Sequence, residues 1–406
     1  MICPKCGGEV YIYDRYRTTL KDMPIWTDRR TEIEAEIHRY RCVECGETFT
    51  EEIPFRYPKT RITMRAAEWI ESLLSHGMSI SSVHEISGIH WETIRKIHQN
   101  IMETALSKRK DELKSQEYKP KHLAVDEFAI HKGHTYATCV MDLDLGDVLW
   151  VGHGRAKKDF ELFFQETDMD YLSEVEAVAM DMNASYNQLV AKYMPWAEIV
   201  YDRYHVQAQY GKDVLGTVRL NEARNHLNKA NDILSSISEN TDKDERKKIQ
   251  AEVRNEKHQY TILKSSRWLI LRKNDSLSDD RSEKLNRILK DHTDLAVCYA
   301  MKEEMSAIFD LRDEKEARIR WTNWFEAAKT SGIEPLVKFA MLKEKRLEGL
   351  IAHASHPIST GKLEGFNNKI KVCKRIGYGY RNDDYFFTLI RFVSIPVLRS
   401  KSPNFP

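Results

Sequence analysis

No stretch of this 406-residue chain is apolar over anything like the ~18 residues that a membrane-spanning helix needs. The N-terminus, MICPKCGGEV, also lacks a basic region leading into an apolar one, so a soluble, cytoplasmic protein is expected. Charge of one sign is missing as well: 63 Lys+Arg stand against 62 Asp+Glu. Any nucleic-acid surface must therefore come from local segregation of charge rather than from a global excess. The seven cysteines are an odd number in a chain without an export signal, which argues against a disulfide framework. No internal repeat or low-complexity tract is evident.

What is present begins with four of those cysteines. Cys3 and Cys6 in CPKCGG, and Cys42 and Cys45 in CVECGETF, form two CxxC knuckles, each followed by a Gly that permits the tight turn. Such a pair can aim four thiolates at one tetrahedral Zn²⁺, a structural site because no coordination position is left open. The intervening EVYIYDRYRT and EAEIHRYRC alternate apolar and polar residues, as the strands of a zinc ribbon do. At 41% hydrophobic the chain is long enough for two or three domains with sizeable cores.

PFRYPKT reads as a linker, after which helical periodicity begins. In TMRAAEWIESLLSHG, residues Ala66, Ala67, Ile70, Leu73 and Leu74 form an apolar stripe that Gly77 can end. SISSVHEISGIHWETIRKIHQNI then reads as two short helices broken at Ser87–Gly88, a helix-turn-helix whose second helix starts near His90. Trp91, Ile94 and Ile97 are expected to pack inward, leaving Glu92, Arg95, Lys96 and Gln99 to face a DNA groove. An ordinary helical hairpin with a solvated polar face is the competing reading of this stretch.

Downstream, HLAVDEFAI, TYATCVMDLD and DVLWVGHG read as three strands. They are followed by a helix in AKKDFELFFQET, a strand in EVEAVAMDM, a helix in NASYNQLVAKYM and a strand in AEIVYDRYHV. This is the order of an RNase H-like α/β domain with a mixed sheet. The first strand is then central, where an uncompensated Asp126 costs several kcal/mol. Asp181 ends the fourth strand, where open α/β sheets place functional residues. Two carboxylates meeting there repel unless divalent cations sit between them, and hard oxygen ligands favour Mg²⁺ or Mn²⁺. Asp181 is preferred to Asp202 as the second ligand because the fifth strand lies one place further out.

A third carboxylate is available in SHPISTGKLEGFNNKIKVCKRIGYGYRN, where Ser359 or Thr360 can cap a helix ended by Gly377. Leu363, Phe366, Ile370 and Cys373 form its apolar face. Glu364, Asn367, Asn368, Lys371 and Arg375 make a neighbouring stripe, acidic at its start and suited to DNA phosphates beyond. Between the two parts, residues 207–350 are rich in helix formers and charge. Their Trp268, Trp321 and Trp324 read as core residues, with stacking on DNA as the lesser alternative.

VDEFAIHKGHTYATCVMDLD, VAMDMNASYNQLV, IVYDRYHV and KLEGFNNKIKVCKRIGYGYRN, in this order behind a double CxxC knuckle and a helix-turn-helix, resemble the DDE transposases of the ISL-three insertion-sequence family. The resemblance implies an RNase H-like core holding two Mg²⁺ (or Mn²⁺) ions, with Asp126, Asp181 and Glu364 as the triad and Asp202 and His205 as an accessory pair. It also implies a protein that binds the terminal inverted repeats and target DNA as a homodimer, associated with the nucleoid when bound. The implied organisation is a zinc ribbon over 1–55, a helix-turn-helix domain over 56–118, the first part of the core over 119–206, a helical insertion over 207–350, and the final helix and tail over 351–406. Two other functions fit parts of the chain: a DNA-binding regulator with an inactive core, and a structure-specific RNase H-like nuclease.

Overall fold

Alternation of polar and apolar side chains produces two long antiparallel strands at the N-terminus, β1 (Val10–Trp26) and β2 (Arg29–Cys42), with a short β3 (Thr48–Thr50) beside β2. Both long strands extend beyond the expected segments. The far end of β1 is held by its surroundings: Lys21 exchanges backbone bonds with Arg61 and Thr63 (2.9 and 3.0 Å). Asp22, 4% exposed, accepts from the Thr63 hydroxyl at 2.5 Å and from the Arg65 guanidinium. The bond from Arg65 is the main reason its carboxyl is held below the usual range. The expected linker around Pro54 and Pro58 is consequently tied down, with bridges Lys21↔Ile62 and Arg56↔Thr63. The computed structural model describes residues 1–26, 29–131, 133, 135–237 and 242–396; Lys132 and His134, and the tail from residue 397, lie outside them.

Three helices follow: α1 (Met64–Ser75), α2 (Ile80–Ser87) and α3 (Trp91–Ser115). Thr63, Ser79 and His90 cap their N-termini, and Gly88 ends α2 at φ 63°, a conformation cheap only for glycine. Ala66, Ala67, Ile70, Leu74, Val83, Ile89, Ile94 and Ile97 form one core. The start of α3 falls where expected, but the helix runs for 25 residues and is not short. Trp91 is 49% exposed, against the expectation that it packs inward. Ile89, in the turn before the helix, is buried in that core instead.

A five-stranded sheet comes next: β4 (His122–His131), β5 (Thr135–Asp142), β6 (Val148–His153), β7 (Ala177–Met180) and β8 (Glu198–Tyr201), ordered β6-β5-β4-β7-β8. β5 is antiparallel to β4, whereas β7 and β8 are parallel to it and to each other. The connections β6–α4–β7 and β7–α5–β8 use α4 (Lys157–Glu166) and α5 (Ala184–Tyr193), which pack through Phe160, Phe163, Phe164, Tyr186 and Tyr193. The central place of β4 and the adjacency of β7 are as expected from the strand and helix order.

From here the described chain is helical: α6 (Arg203–Tyr210), a π-helical turn at Gly211–Leu215, α7 (Gly216–Ser235), α8 (Lys243–Ser265) and α9 (Arg267–Leu271). Then come α10 (Asp279–Asp291), α11 (Thr293–Phe309), α12 (Glu314–Thr330), α13 (Glu334–Glu344) and α14 (Leu347–Ser355). Their core is built on Tyr210, Phe309, Trp321, Trp324, Phe325 and Phe339. Trp268 is not part of it, being 70% exposed with Arg267 stacked on its ring. α15 (Gly361–Ile376) and α16 (Asp383–Ser394) are the last helices among the described residues.

These elements form two compact units. One contains Met1–Tyr118, Gly146–Val151 and the chain from Glu364; the other contains Lys119–Leu145 and Gly152–Leu363. In the first, the ribbon and the three-helix segment are joined by the contacts of Lys21 and Asp22, and α16 packs on α3 through a 2.6 Å bond between His98 Nδ1 and the Tyr385 hydroxyl. No helix among the described residues is long and apolar enough to cross a membrane.

Candidate active site

The register of the three parallel strands decides where the aspartates stand. Val125 pairs with Met180, and Met180 with Tyr201, so Asp126, Asp181 and Asp202 each follow that row by one residue. Neighbouring strands lie ~4.8 Å apart, which brings successive aspartates side by side at one end of the parallel strands. Their environments differ. Asp126 is half-buried and its Oδ1 accepts from the Glu127 amide at 2.7 Å. Asp181 is exposed and its Oδ1 accepts from the Met182 amide at 2.6 Å.

Asp202 is 1% exposed and both its oxygens are occupied. Oδ1 accepts from the amides of Tyr204 (2.7 Å) and His205 (3.3 Å), and Oδ2 accepts from the Thr360 amide and hydroxyl, both at 2.7 Å. It is the N-cap of α6 and the anchor of the segment entering α15. The fifth strand therefore stops at Tyr201 and does not run through DRYHV as expected: a capping carboxylate satisfies two of the orphan amides of a new helix. His205 sits in the first turn of that helix.

Thr360, expected as a helix cap, spends its hydroxyl on Asp202. Glu364 lies four residues further, in the first turn of α15. Leu363 and Ile370 are buried on that helix, while Phe366 and Cys373 are only half-buried. Of its polar stripe, Asn368, Lys371 and Arg375 are exposed and Asn367 is half-buried, with Lys371 Nζ donating to Asn368 Oδ1 at 3.3 Å.

Two cations near Asp181 had no sequence signal beyond an unremarkable basic run, MLKEKRLEGL. Lys343, 5% exposed, donates to Gln209 Oε1 at 2.5 Å and lies 3.1 Å from Met182 Sδ. Arg346 donates to the Met182 carbonyl. Burial, followed by the neighbouring Arg346, pushes the Lys343 amine down to about 8, with Asp181 and Asp213 opposing that shift. Glu127, next to Asp126, has its carboxyl raised chiefly by burial, while bonds from Tyr186 and Asn183 act against the rise.

On α3, Lys96 is exposed, whereas Arg95 and Gln99 are half-buried. Arg95 is clamped by Glu92 (2.7 and 3.1 Å) and reaches Gln99 Oε1 at 3.3 Å. At the N-terminus, Cys3 and Cys45 sulfurs lie 3.7 Å apart, and Cys6 lies 3.5 Å from both Cys42 and Cys45. Four thiolates at ~2.3 Å from one tetrahedral ion have sulfurs about 3.7 Å apart, so the cluster fits zinc. The glycines after each knuckle, Gly7 (φ 75°) and Gly46 (φ 69°), supply the turns.

A family model described as a transposase matches residues 123–390. Over 392 residues the chain is 31% identical to the transposase for insertion sequence element IS1001 of Bordetella parapertussis, covering 96% of this chain and 88% of that protein. The chain belongs to the ISL3 transposase family. It is also 25% identical over 390 residues to the transposase for insertion sequence element IS1557 of Mycobacterium tuberculosis, covering 95% of this chain and 84% of that one. In this transposase the family match runs from the start of β4 into α16, so it takes in all three aspartates and Glu364. The thiolate cluster and α1–α3 precede the matched region.

Proposed function

We propose that this transposase binds the terminal inverted repeats of an insertion sequence and cuts and joins DNA by metal-dependent phosphoryl transfer in an RNase H-like core. The observation that carries the reading is the pairing of β4 with β7, which sets Asp126, within β4, level with Asp181, just past the end of β7, in a chain of this family. In the proposed site Asp126, Asp181 and Glu364 would hold two Mg²⁺ (or Mn²⁺) ions, hard cations suited to carboxylate oxygens. When bound, the ions supply an activated water or DNA 3′-hydroxyl and neutralise the leaving oxygen. Asp202 holds α6 and Thr360 in place, and His205, in the first turn of α6, positions a phosphate or the nucleophile.

Lys96 and Gln99 on α3, with Arg95 held by Glu92, are proposed to read the transposon end. Asn367, Asn368, Lys371 and Arg375 are proposed to hold phosphates near the cut. The four cysteines hold a structural zinc, and two copies of the chain bind two ends together. The test is an oligonucleotide carrying the element's own end, incubated with the full chain and Mg²⁺. Cleavage and strand transfer are expected from the wild type, whereas Asp126→Asn and Glu364→Gln retain end binding but do not cut. Substantial Mg²⁺-dependent cutting by either variant overturns the triad.

A further inference from the structure

The parallel strands β4, β7 and β8 have a second end, opposite the aspartates, with a different chemistry. His122 is the first residue of β4 and Glu176 immediately precedes β7. His122 pairs in register with Ala177, and Ala177 with Glu198 at the start of β8. His356, the C-cap of α14, comes to the same place, with its ring centroid 5.9 Å from that of His122. His122, Glu176 and His356 each offer one ligand atom, and the three atoms lie within 4.8 Å of one another. Four residues along β4 separate this group from Asp126, about 13 Å at ~3.3 Å per residue.

A second feature distinguishes the group from a chance meeting of polar side chains. Asp144 Oδ1 lies 2.8 Å from His122 Nδ1, and Asp144 Oδ2 accepts from the backbone amides of Lys121 and His122, both at 3.1 Å. The carboxylate is thereby fixed behind the ring. It holds the proton on Nδ1 and leaves Nε2 as the donor, the arrangement that orients metal-bound histidines. Glu198 Oε2 lies 3.8 Å from His356 Nε2, within reach of a fourth position. Lys121 is paired with the group, to Glu176 at 3.1 Å.

We propose that His122, Glu176 and His356 bind a divalent transition metal of the Zn²⁺, Co²⁺ or Ni²⁺ class, at a site separate from the thiolate cluster and from the aspartates. Two imidazoles with a carboxylate suit these borderline ions and not Mg²⁺. Because Thr360 is anchored by Asp202, a metal on His356 fixes the other end of the short connector that leads into α15. The site therefore acts as a clamp on the entry to the helix carrying Glu364.

The test is ion stoichiometry on the full chain, with Zn²⁺ or Co²⁺ added against excess Mg²⁺ so that the strand-end carboxylates are already supplied. The wild type is expected to take up two equivalents, Cys42→Ser one, and His122→Ala or His356→Ala one. With Co²⁺ the histidine variants keep the thiolate charge-transfer absorption, and Cys42→Ser loses it. Asp144→Asn, which keeps the ligands but loosens the His122 ring, should weaken the second equivalent by about tenfold. Uptake of a single equivalent by the wild type overturns the proposal even where a variant fails to fold. Unchanged uptake in a folded His122→Ala/His356→Ala double variant overturns it as well.

Discussion

A buried aspartate and an exposed one, level on adjacent strands, have opposite mutational signatures. Asp202 gives both oxygens to four donors while 1% exposed, so Asp202→Ala strands the Thr360 hydroxyl and uncaps α6. A loss of about 2–3 kcal/mol is expected in chemical denaturation. Asp181 is exposed, and its replacement by Ala should change stability by no more than about 0.5 kcal/mol while removing Mg²⁺-dependent cleavage. Conservative Asp202→Asn should cut more slowly than wild type but retain activity; the reverse ranking, with Asp181→Asn active and Asp202→Asn dead, rejects Asp181 as the ligand. The places of Asp126 inside a central strand and of Asp181 level with it one strand over were readable from the strand order. The duty of Asp202 was not readable, because its partner Thr360 lies 158 residues away. Neither was Lys343, whose burial depends on how α13 packs and which stands in a run of ordinary surface-like charges.

Helix α3 serves two neighbours, and each gives a separate expectation. Its exposed Lys96 should lose discrimination between end and random DNA by ~1–3 kcal/mol on change to Ala, if it contacts a base edge. An equal loss for both DNAs would assign it to a phosphate. On the other side, His98 packs on α16 through Tyr385, and burial holds its imidazole down to about 4, below the ordinary 6.5. The unfolded chain therefore takes up this proton first as pH falls. The resulting stability is present in full above about pH 6.5 and is lost between there and about pH 4, to a limit of about 3 kcal/mol. Urea unfolding across that range should show a steeper decline for the wild type than for His98→Gln; parallel curves would refute the assignment. Apolar spacing and the Gly88 break made the start of α3 legible, since helix periodicity and a left-handed stop are local signals. The length of the helix and the exposure of Trp91 were not, because Ile89 takes the core position and only tertiary packing chooses between them.

Near-zero net charge and seven cysteines described the whole chain without indicating which parts stand or fall together. The knuckle spacing foretold four converging sulfurs, a local signal that does not indicate what else rests on the ribbon. The contacts of β1 argue for a wider effect. Lys21 bonds backbone to Arg61 and Thr63 and its amine reaches the Gly88 carbonyl at 2.8 Å, while Asp22 binds Thr63 and Arg65. Thr63 is also the cap of α1, so the ribbon's far end and the start of the three-helix core share one buried polar junction. A structural zinc site contributes its binding free energy to folding. Cys42→Ser should then release zinc and raise amide hydrogen exchange both in β1–β2 and in the first turn of α1, with end-DNA affinity falling alongside. Amides of β4 and β7, whose core is formed by other residues, should keep wild-type protection. Exchange that rises in β1–β2 while α1 and DNA binding stay unchanged would show that the junction transmits nothing. An equal rise in β4 would show that zinc supports the whole chain.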